Sequence, residues 1–252
     1  MLRFFRQIRK SLMEQDKLRT YLFYAVGEIL LVVIGILIAL QINNWNEKRQ
    51  EDNRRVQLLE NIRSDYQRNE VRLLAAYEQS ASINTNTLRL MELISYQITT
   101  VSIDSLMIYW DSYIEITTFS PLNSSYLTAQ STGDIGLIID KELLELFIEF
   151  QEANDWLNFH VELSRDMVYL GNVWDLRKKL GSLNIMQALM VNVDPHPPGF
   201  RFNDSEIRQF LFDKETFAAI ESMYWINRNI LRSILSMQEV NSSILNKIDE
   251  LL

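Results

Sequence analysis

The sequence predicts an all-α protein in which a single N-terminal transmembrane helix continues into a stalk and an antiparallel helical bundle. Three observations favour this fold class. The run from Tyr21 to Ile42 is apolar and holds only one charged residue, Glu28. No Gly or Pro occurs from Ile36 to Ser120, which favours a long helix leaving the membrane. In the remainder, apolar residues recur at three- and four-residue steps, which is typical of bundle helices.

The apolar run has the length and composition of a membrane span. Leu22 to Ile42 contains fourteen Leu, Ile, Val or Phe residues, and roughly 20 helical residues cross the hydrocarbon core. A cleaved signal peptide is the main alternative, but no small-x-small site follows the run, where Ala39 to Ile42 stands. A buried helix of a soluble protein fits less well, because no other segment is apolar enough to surround it. The sequence therefore predicts a transmembrane helix over residues 21–45.

Residues 1–20 read as a basic amphipathic segment lying at the membrane interface. Leu2, Phe5, Ile8 and Leu12 recur at helical spacing with basic residues between them. The alternative is a basic tail that only sets topology. Six Lys or Arg residues precede the span and four follow it closely, which favours a cytoplasmic N-terminus and a periplasmic C-terminal domain in a bacterial inner membrane. The residues predicted to contact the membrane interface are Arg3, Phe4, Phe5, Arg6, Arg9, Lys10 and Trp45.

Within the span, small residues share a helix face with the one charge. Gly27, Glu28, Leu31, Gly35 and Ala39 form this set, and small residues let transmembrane helices approach closely. Three interpretations of Glu28 stay open: a carboxylate facing a partner helix, a proton-linked site, and a side chain extending towards the headgroups. We take helix packing as the working hypothesis for these five residues.

Charge is divided unevenly along the 252 residues. Residues 1–42 carry a net charge of +3, whereas residues 43–252 carry nineteen basic against thirty acidic residues, a net charge of −11. An acidic domain excludes nucleic acid as an expected partner, and the basic end suits a lipid bilayer. The chain contains no Cys, which excludes disulfides and thiolate sites.

The bundle domain is predicted over residues 46–252, with a polar stalk over about 46–58. A β-branched cluster near Tyr96 to Ser102 predicts a break, after which Ser102 or Asp104 caps a helix running to about Ile116. A loop over residues 117–123 contains Pro121, and Asn123 or Ser124 begins a short helix that Gly133 ends.

The remaining helices are predicted from caps and breakers. Asp140 caps a helix that continues to roughly Leu180, with a kink at Gly171 and an end at Gly181. Asp194 to Gly199 is a proline-rich loop. A short helix begins near Asp204, and a final one runs from Lys214 to Leu252. The predicted core face of that last helix consists of Phe217, Ile220, Tyr224, Ile230, Leu231, Ile234, Met237, Ile244 and Ile248.

The sequence contains no recognisable catalytic constellation. His160 and His196 are isolated, and neither a Gly-x-Ser-x-Gly elbow nor a phosphate-binding glycine loop occurs. We therefore predict no catalytic residue, no metal site and no cofactor. Glu142, Glu145, Glu149, Glu152 and Asp155 favour a solvated acidic face, with a divalent cation site as the alternative. Trp110, Tyr113, Tyr126, Trp156, Trp174, Tyr224 and Trp225 favour bundle core, with a ligand pocket as the alternative.

The run GEILLVVIGILIALQINNWNE, residues 27–47, resembles the signature of an uncharacterised family of single-pass inner-membrane proteins from Bacteroidota. The opening Met1 to Arg6 is similar to the start of that family, and Ser131 to Gly133 resembles its mid-domain pattern more loosely. The resemblance is specific over residues 1–46. It implies membrane placement and assigns no catalytic residue.

Two functional hypotheses follow. In the first, the protein is a non-enzymatic membrane anchor whose periplasmic helical domain binds a partner or ligand, or serves as a scaffold. In the second, it is an accessory subunit of a larger envelope complex, such as a transporter or ion-driven machine, with Glu28 in contact with a partner's helices. Both imply a homo-oligomer or a membrane-protein partner. An enzyme ranks third.

Overall fold

The computed structural model describes residues 18–180 and 203–252, with side chains over residues 22–176 and 203–252. This part of the chain consists of helices and contains no strand, which confirms the all-α class. The helices are α1 (Leu18–Ser95), α2 (Ile103–Tyr113), α3 (Ser124–Thr132), a 3₁₀ turn (Asp134–Leu137), α4 (Lys141–Tyr169), α5 (Asn172–Leu180), α6 (Asp204–Leu211) and α7 (Lys214–Leu251). Most of the predicted interfacial segment, the helix end at Gly181 and the loop from Asp194 to Gly199 lie outside the described residues.

Helix α1 has 78 residues and ends at Ser95, followed by Gln97 with a φ of 50°. The chain divides into two compact units, Met1–Gln57 and Leu58–Leu252, so the division falls inside this helix. The predicted break near residues 96–102 is confirmed. The predicted boundary between the transmembrane helix and the bundle domain, between residues 45 and 46, stays a prediction.

Local capping chemistry fixes several helix ends as predicted. The Ser102 side chain accepts a hydrogen bond from the Ser105 backbone N–H (3.2 Å) at the start of α2. The Asp140 carboxylate accepts one from the Leu143 N–H (2.8 Å) at the start of α4. Gly133 ends α3 with a φ of 82°, a left-handed conformation that glycine adopts without steric cost.

Helix α3 begins at Ser124, as predicted, although Asn123 makes no capping hydrogen bond with its side chain. One predicted feature of the helices differs in the structure. Gly171 breaks the helix rather than kinking it, because α4 ends at Tyr169 and α5 begins at Asn172. The Gly171 backbone N–H bonds to the Asp166 carbonyl oxygen (2.9 Å), and a Cβ at this position would lie 3.1 Å from the Met167 Cα. The close approach of its own preceding turn explains why glycine stands there.

Helices α1 and α7 pack antiparallel through three side-chain contacts. Arg63 Nε lies 2.8 Å from Asp249 Oδ1. Farther along α1, the Asn241 amide donates to the Tyr66 carbonyl oxygen (3.1 Å). The Asn84 amide donates to the carbonyl oxygen of Asn227 (3.1 Å). Because residue numbers rise along α1 as they fall along α7, the two helices run in opposite directions.

The bundle core forms two clusters. In the first, the Tyr66 ring of α1 lies 5.8 Å from Phe147 and 5.1 Å from Phe150 of α4, so α1 packs against α4 as well as α7. In the second, Trp110 of α2 packs on Tyr113 and on Phe210 of α6. The predicted core face of α7 is confirmed at its buried positions, which are Ile220, Ile230, Ile234, Met237, Ile244 and Ile248.

Candidate functional site

The apolar segment of α1 exposes its side chains. Among the described residues, one helix is long and apolar enough to cross a membrane, and its most apolar window has no buried part. Gly27, Glu28, Leu31, Gly35 and Ala39 are all exposed, and a Cβ added at either glycine would meet no atom within 4 Å. The helix geometry places these five residues on one side of α1. Their predicted role in packing against another transmembrane helix stays a prediction.

The predicted membrane-interface set is described only at Trp45. Trp45 is exposed, and the Arg49 guanidinium lies 6.0 Å from the centre of its ring. A tryptophan beside a basic side chain at the end of an apolar helix suits the headgroup region. Arg3, Phe4, Phe5, Arg6, Arg9 and Lys10 lie outside the described residues.

The predicted aromatic core set divides between the interior and the surface. Trp110 and Tyr113 are buried, and the half-buried Tyr126 packs on Phe147 with ring centres 4.8 Å apart. Trp156 and Trp225 are instead 59% and 52% exposed, so the prediction of core positions is wrong for both. The exposed Trp156 leads to the most distinctive surface in the bundle.

Ile148, Trp156, Phe159 and Leu163 form this surface, which we name the α4 outer face. All four side chains are exposed, with Ile148 at 54% and Phe159 at 56%. At 3.6 residues per turn they follow one side of the helix over about four turns. Large apolar side chains gathered on the solvent side of a helix are typical of interaction sites, whereas scattered single ones need no explanation.

The side of α4 that packs in the core determines which way the α4 outer face is directed. Leu157 is fully buried whereas the adjacent Trp156 is exposed, so the boundary between the core side and the solvent side of the helix falls between them. The core side packs against α1 and α7 and consists of Leu143, Phe147, Phe150, Asn154, Leu157, Val161, Ser164 and Val168. With that side committed to the core, the α4 outer face is directed away from it.

The aromatic centre of the α4 outer face is held in a defined arrangement. Trp156 and Phe159 stack with ring centres 5.5 Å apart and planes 20° apart. The buried His160 meets both rings edge-on, at 4.8 and 5.2 Å. His160 Nδ1 lies 2.9 Å from the Trp156 carbonyl oxygen, a contact that fixes the imidazole. These contacts reduce the rotamer freedom that binding a partner would otherwise remove.

Carboxylates lie around and among the side chains of the α4 outer face. Helix α4 contains seven acidic residues and two basic ones, a net charge of −5. Glu145, Glu149, Glu152, Asp155, Glu162 and Asp166 are all exposed. Arg165 pairs with Glu162 (2.6 Å), and the Gln151 amide donates to Asp155 (2.8 Å). Among the described residues, no group of three or more His, Cys, Asp or Glu side chains is placed to hold a metal ion.

Glu142 belongs to a different cluster from the other predicted acidic residues. Lys247 Nζ of α7 lies 2.6 Å from Glu142, 3.3 Å from Glu250 and 3.6 Å from Asp140. The hydrogen bond that the Lys247 ammonium donates to Glu142, followed by the interactions with the other carboxylates, raises the pKa of Lys247 above its ordinary value of 10.5. This cluster joins the start of α4 to the end of α7, and it has a structural role.

Two buried polar residues of α1 hold the segment before α3. The Asn69 amide donates to the Leu122 carbonyl oxygen (2.9 Å), and its own oxygen accepts from the Leu122 N–H (2.8 Å). The Asp65 carboxylate accepts from the Ser125 N–H (2.9 Å) and also pairs with Arg68. These bonds satisfy buried backbone groups of an irregular segment, so the residues serve the fold rather than a ligand.

Asp111 and Glu115 form a pair of like charges at the end of α2. Burial, followed by the Glu115 charge, raises the pKa of Asp111 to about 6. Burial also raises the pKa of Glu115. Among the described residues, Asp111 Oδ1 is buried and has no hydrogen-bond partner. Because the pKa of both carboxyl groups is raised, the pair makes a contribution to stability that depends on pH.

Sequence reasoning found the acidic residues of α4 but missed Ile148, Phe159 and Leu163. Their signal was present, since at 3.6 residues per turn all three lie on the side of α4 away from Leu143, Phe150 and Leu157. The comparison with Leu157 shows that α4 carries two apolar sides.

Comparisons with known proteins give one result. A family model described as a family of unknown function (DUF6090) matches residues 28–193, which is more than half of the chain. No curated protein and no solved structure matches. The matched region includes residues 28–42 of the apolar segment of α1 and the whole of the α4 outer face.

Proposed function

We propose that this chain, which belongs to the family of unknown function DUF6090, is a non-enzymatic, membrane-anchored binding protein. Its N-terminus lies in the cytoplasm, α1 crosses the inner membrane once, and the helical bundle in the periplasm holds a protein partner. The excess of basic residues before the span supports this orientation.

The observation that carries the proposal is the α4 outer face. Its two stacked aromatic rings are of the type that dominates binding energy in protein interfaces, where Trp and Tyr are enriched among the residues that matter most. Exposing them to water costs solubility and adds nothing to the bundle core, which is complete on the opposite side of α4. A protein partner that covers this surface explains why large aromatic side chains stand there.

Purification from native membranes tests the proposal. The tagged full-length chain is extracted in mild detergent, and proteins that co-purify in stoichiometric amounts are identified by mass spectrometry. We expect a specific partner that the double variant Trp156→Ser/Phe159→Ser loses. The control is Trp225→Ser/Ile108→Ser, which removes matched exposed side chains from α7 and α2. Retention of the same partners by both variants would contradict the proposal.

The proposed orientation has an independent test, because the chain contains no cysteine. A single cysteine introduced as Ile108→Cys, at a position 64% exposed, is labelled in intact cells with a maleimide that crosses the outer but not the inner membrane. We expect labelling before cell lysis. Labelling only after lysis would place the bundle in the cytoplasm.

A second candidate function is an accessory subunit of a larger envelope complex. It is favoured by the exposed side of α1 that carries Gly27, Glu28 and Gly35, because a carboxylate among small residues suits a helix–helix contact inside the membrane. Glu28→Gln is the test, with Val33→Leu on the opposite side of α1 as the control. Loss of a membrane-protein partner from Glu28→Gln alone would support this candidate, and unchanged assembly would exclude a role for the charge.

A further inference from the structure

We infer that the α4 outer face binds a basic amphipathic helix of a partner protein. The inference rests on the proposed function and names the chemical class of the partner. It combines the exposed apolar row of α4 with the carboxylates beside it.

The carboxylates are placed where a second helix would meet them. Glu145 and Glu152 lie three residues before and four residues after Ile148, and Asp155 lies four residues before Phe159. Residues at these spacings are neighbours on a helix surface. At 100° per residue Glu152 lies within the row, between Ile148 and Trp156, and Asp155 lies at its edge. A helix that packs along this face would therefore meet these carboxylates as well as the apolar side chains, and Lys or Arg at the positions facing them gives the complementary charge.

The dimensions of the surface fit a helix. Ile148 and Leu163 are separated by about 22 Å along the axis of α4, or about four turns. A partner helix of similar length matches the row, which corresponds to helix-in-groove recognition by anchors one turn apart. A small molecule suits the surface less well, since such ligands are enclosed by clefts, whereas these side chains stand on the convex side of a helix.

Charge also argues against two other occupants. A second copy of this chain would bring one α4 helix, with its net charge of −5, against another, and like charges across an interface are unfavourable. A membrane surface is covered best by helices that carry Lys and Arg beside their apolar side, because the headgroups include anionic lipids. Helix α4 carries carboxylates in those positions.

Model peptides test the inference on the full-length chain. The chain is placed in nanodiscs of phosphatidylcholine, and three labelled peptides of about 18 residues, a length that covers the row, are titrated by fluorescence anisotropy. The first is a Leu/Lys amphipathic helix, the second has the same pattern in Leu and Glu, and the third is the scrambled Leu/Lys sequence. Empty nanodiscs correct for binding to lipid.

We expect the Leu/Lys helix to bind and the other two peptides to bind at least about tenfold more weakly. Trp156→Ser/Phe159→Ser should weaken the Leu/Lys helix about tenfold or more. The triple variant Glu145→Gln/Glu152→Gln/Asp155→Asn should weaken it and flatten its salt dependence. Trp225→Ser/Ile108→Ser should leave its affinity unchanged.

Disulfide trapping gives the position of the bound peptide. Ile148→Cys is combined, in the presence of an added oxidant, with Leu/Lys peptides that contain one cysteine near the N-terminus or near the C-terminus, because residue 148 lies at one end of the row, and Ile108→Cys is the control position. We expect a chain–peptide adduct at residue 148 and little at residue 108. A disulfide-linked dimer of the chain formed through residue 148 in preference to the adduct would assign the surface to a second copy and overturn the inference.

The outcomes separate this inference from the proposed function. If the Leu/Glu or scrambled peptide binds as well as the Leu/Lys helix, and Trp156→Ser/Phe159→Ser removes that binding, the surface is a binding site but the partner class is wrong. If no peptide binds and the partners from native membranes are unaffected by the same variant, both are overturned.

Discussion

The Asp65 carboxylate of α1 caps α3, because it accepts a hydrogen bond from the Ser125 backbone N–H at 2.9 Å across a sequence separation of 60 residues. The residue that precedes α3, Asn123, does not use its side chain for this purpose. A helix N-terminus carries unpaired N–H groups and a partial positive charge, and a carboxylate from another helix satisfies both. The start of α3 is thereby fixed to the surface of α1.

Replacing Asp65 is expected to destabilise the bundle. Asp65→Asn keeps the size of the side chain but weakens the cap and the pair with Arg68, and its amide adds a buried donor. We expect a loss of about 1–3 kcal/mol in the free energy of unfolding. The measurement is urea denaturation of the full-length chain in mild detergent, followed by tryptophan fluorescence. Asp52→Asn, an exposed position of the same helix, is the control and should change stability little.

The effect of Asp65→Asn should depend on pH. Burial alone would raise the pKa of Asp65, but the Ser125 N–H and the Arg68 guanidinium hold it below its ordinary value of 3.8. A lowered pKa contributes stability that is present above 3.8 and lost as pH falls through the folded-state value. The difference between the natural chain and Asp65→Asn should therefore shrink in acid below about pH 4. A difference that stays constant with pH would contradict this cause.

The contribution of Asp111 to stability should depend on pH in the opposite direction to that of Asp65. Its pKa of about 6 exceeds the ordinary 3.8, because burial and then Glu115 disfavour the charge. Its contribution to stability is present below pH 3.8 and is lost as pH rises through about 6. We expect Asp111→Asn to stabilise the bundle at pH 7 by about 1 kcal/mol, a value reduced for solvent screening. Near pH 4 the gain should vanish, and the exposed Asp104→Asn on α2 provides the control.

Leu157 and Phe159 allow stability to be separated from binding on one helix. Leu157→Ala removes a fully buried side chain and should cost about 2–5 kcal/mol of unfolding free energy. Phe159→Ala acts on a side chain that is 56% exposed and should cost about 0.5 kcal/mol or less. Thermal unfolding of the two variants tests this contrast. A large loss for Phe159→Ala would mean that the α4 outer face belongs to the core.

The predicted packing role of Gly35 leads to a test in the membrane. A Cβ at Gly35 meets no atom within 4 Å in the chain itself, so Gly35→Leu leaves α1 intact. If another transmembrane helix packs against this side of α1, the larger side chain separates the two backbones. We expect reduced chemical cross-linking in native membranes, to itself or to a partner, with unchanged insertion. Val33→Leu is the control, and equal cross-linking of both variants would exclude the contact.

The features that sequence predicted correctly depend on neighbouring residues. Ser102 and Asp140 cap the helices that they precede, and Gly133 takes the left-handed conformation that ends α3. The apolar period of α7 placed Ile234 and Ile244 in the core because that helix buries one continuous side. In each case a few residues within one or two turns contain the information.

The features that sequence missed depend on residues far apart in the chain. The cap of α3 comes from Asp65 because the fold brings two separated segments together. Trp156 follows the same apolar pattern as Leu157, and only the packing of α1 and α7 against α4 decides which of the two is buried. Gly171 predicts a weak point of the helix, but the tight turn there, in which a Cβ would lie 3.1 Å from the Met167 Cα, is formed only by the folded chain.

The three contacts between α1 and α7 limit how these helices can move. Arg63, Tyr66 and Asn84 each meet a specific residue of α7, and they extend over about 30 Å of α1. A displacement of α1 along α7 by one turn, about 5.4 Å, would separate all three pairs together, and the buried Asn241 amide would lose its acceptor on Tyr66. The three pairs therefore hold the part of α1 from Arg63 to Asn84 and helix α7 in one fixed register.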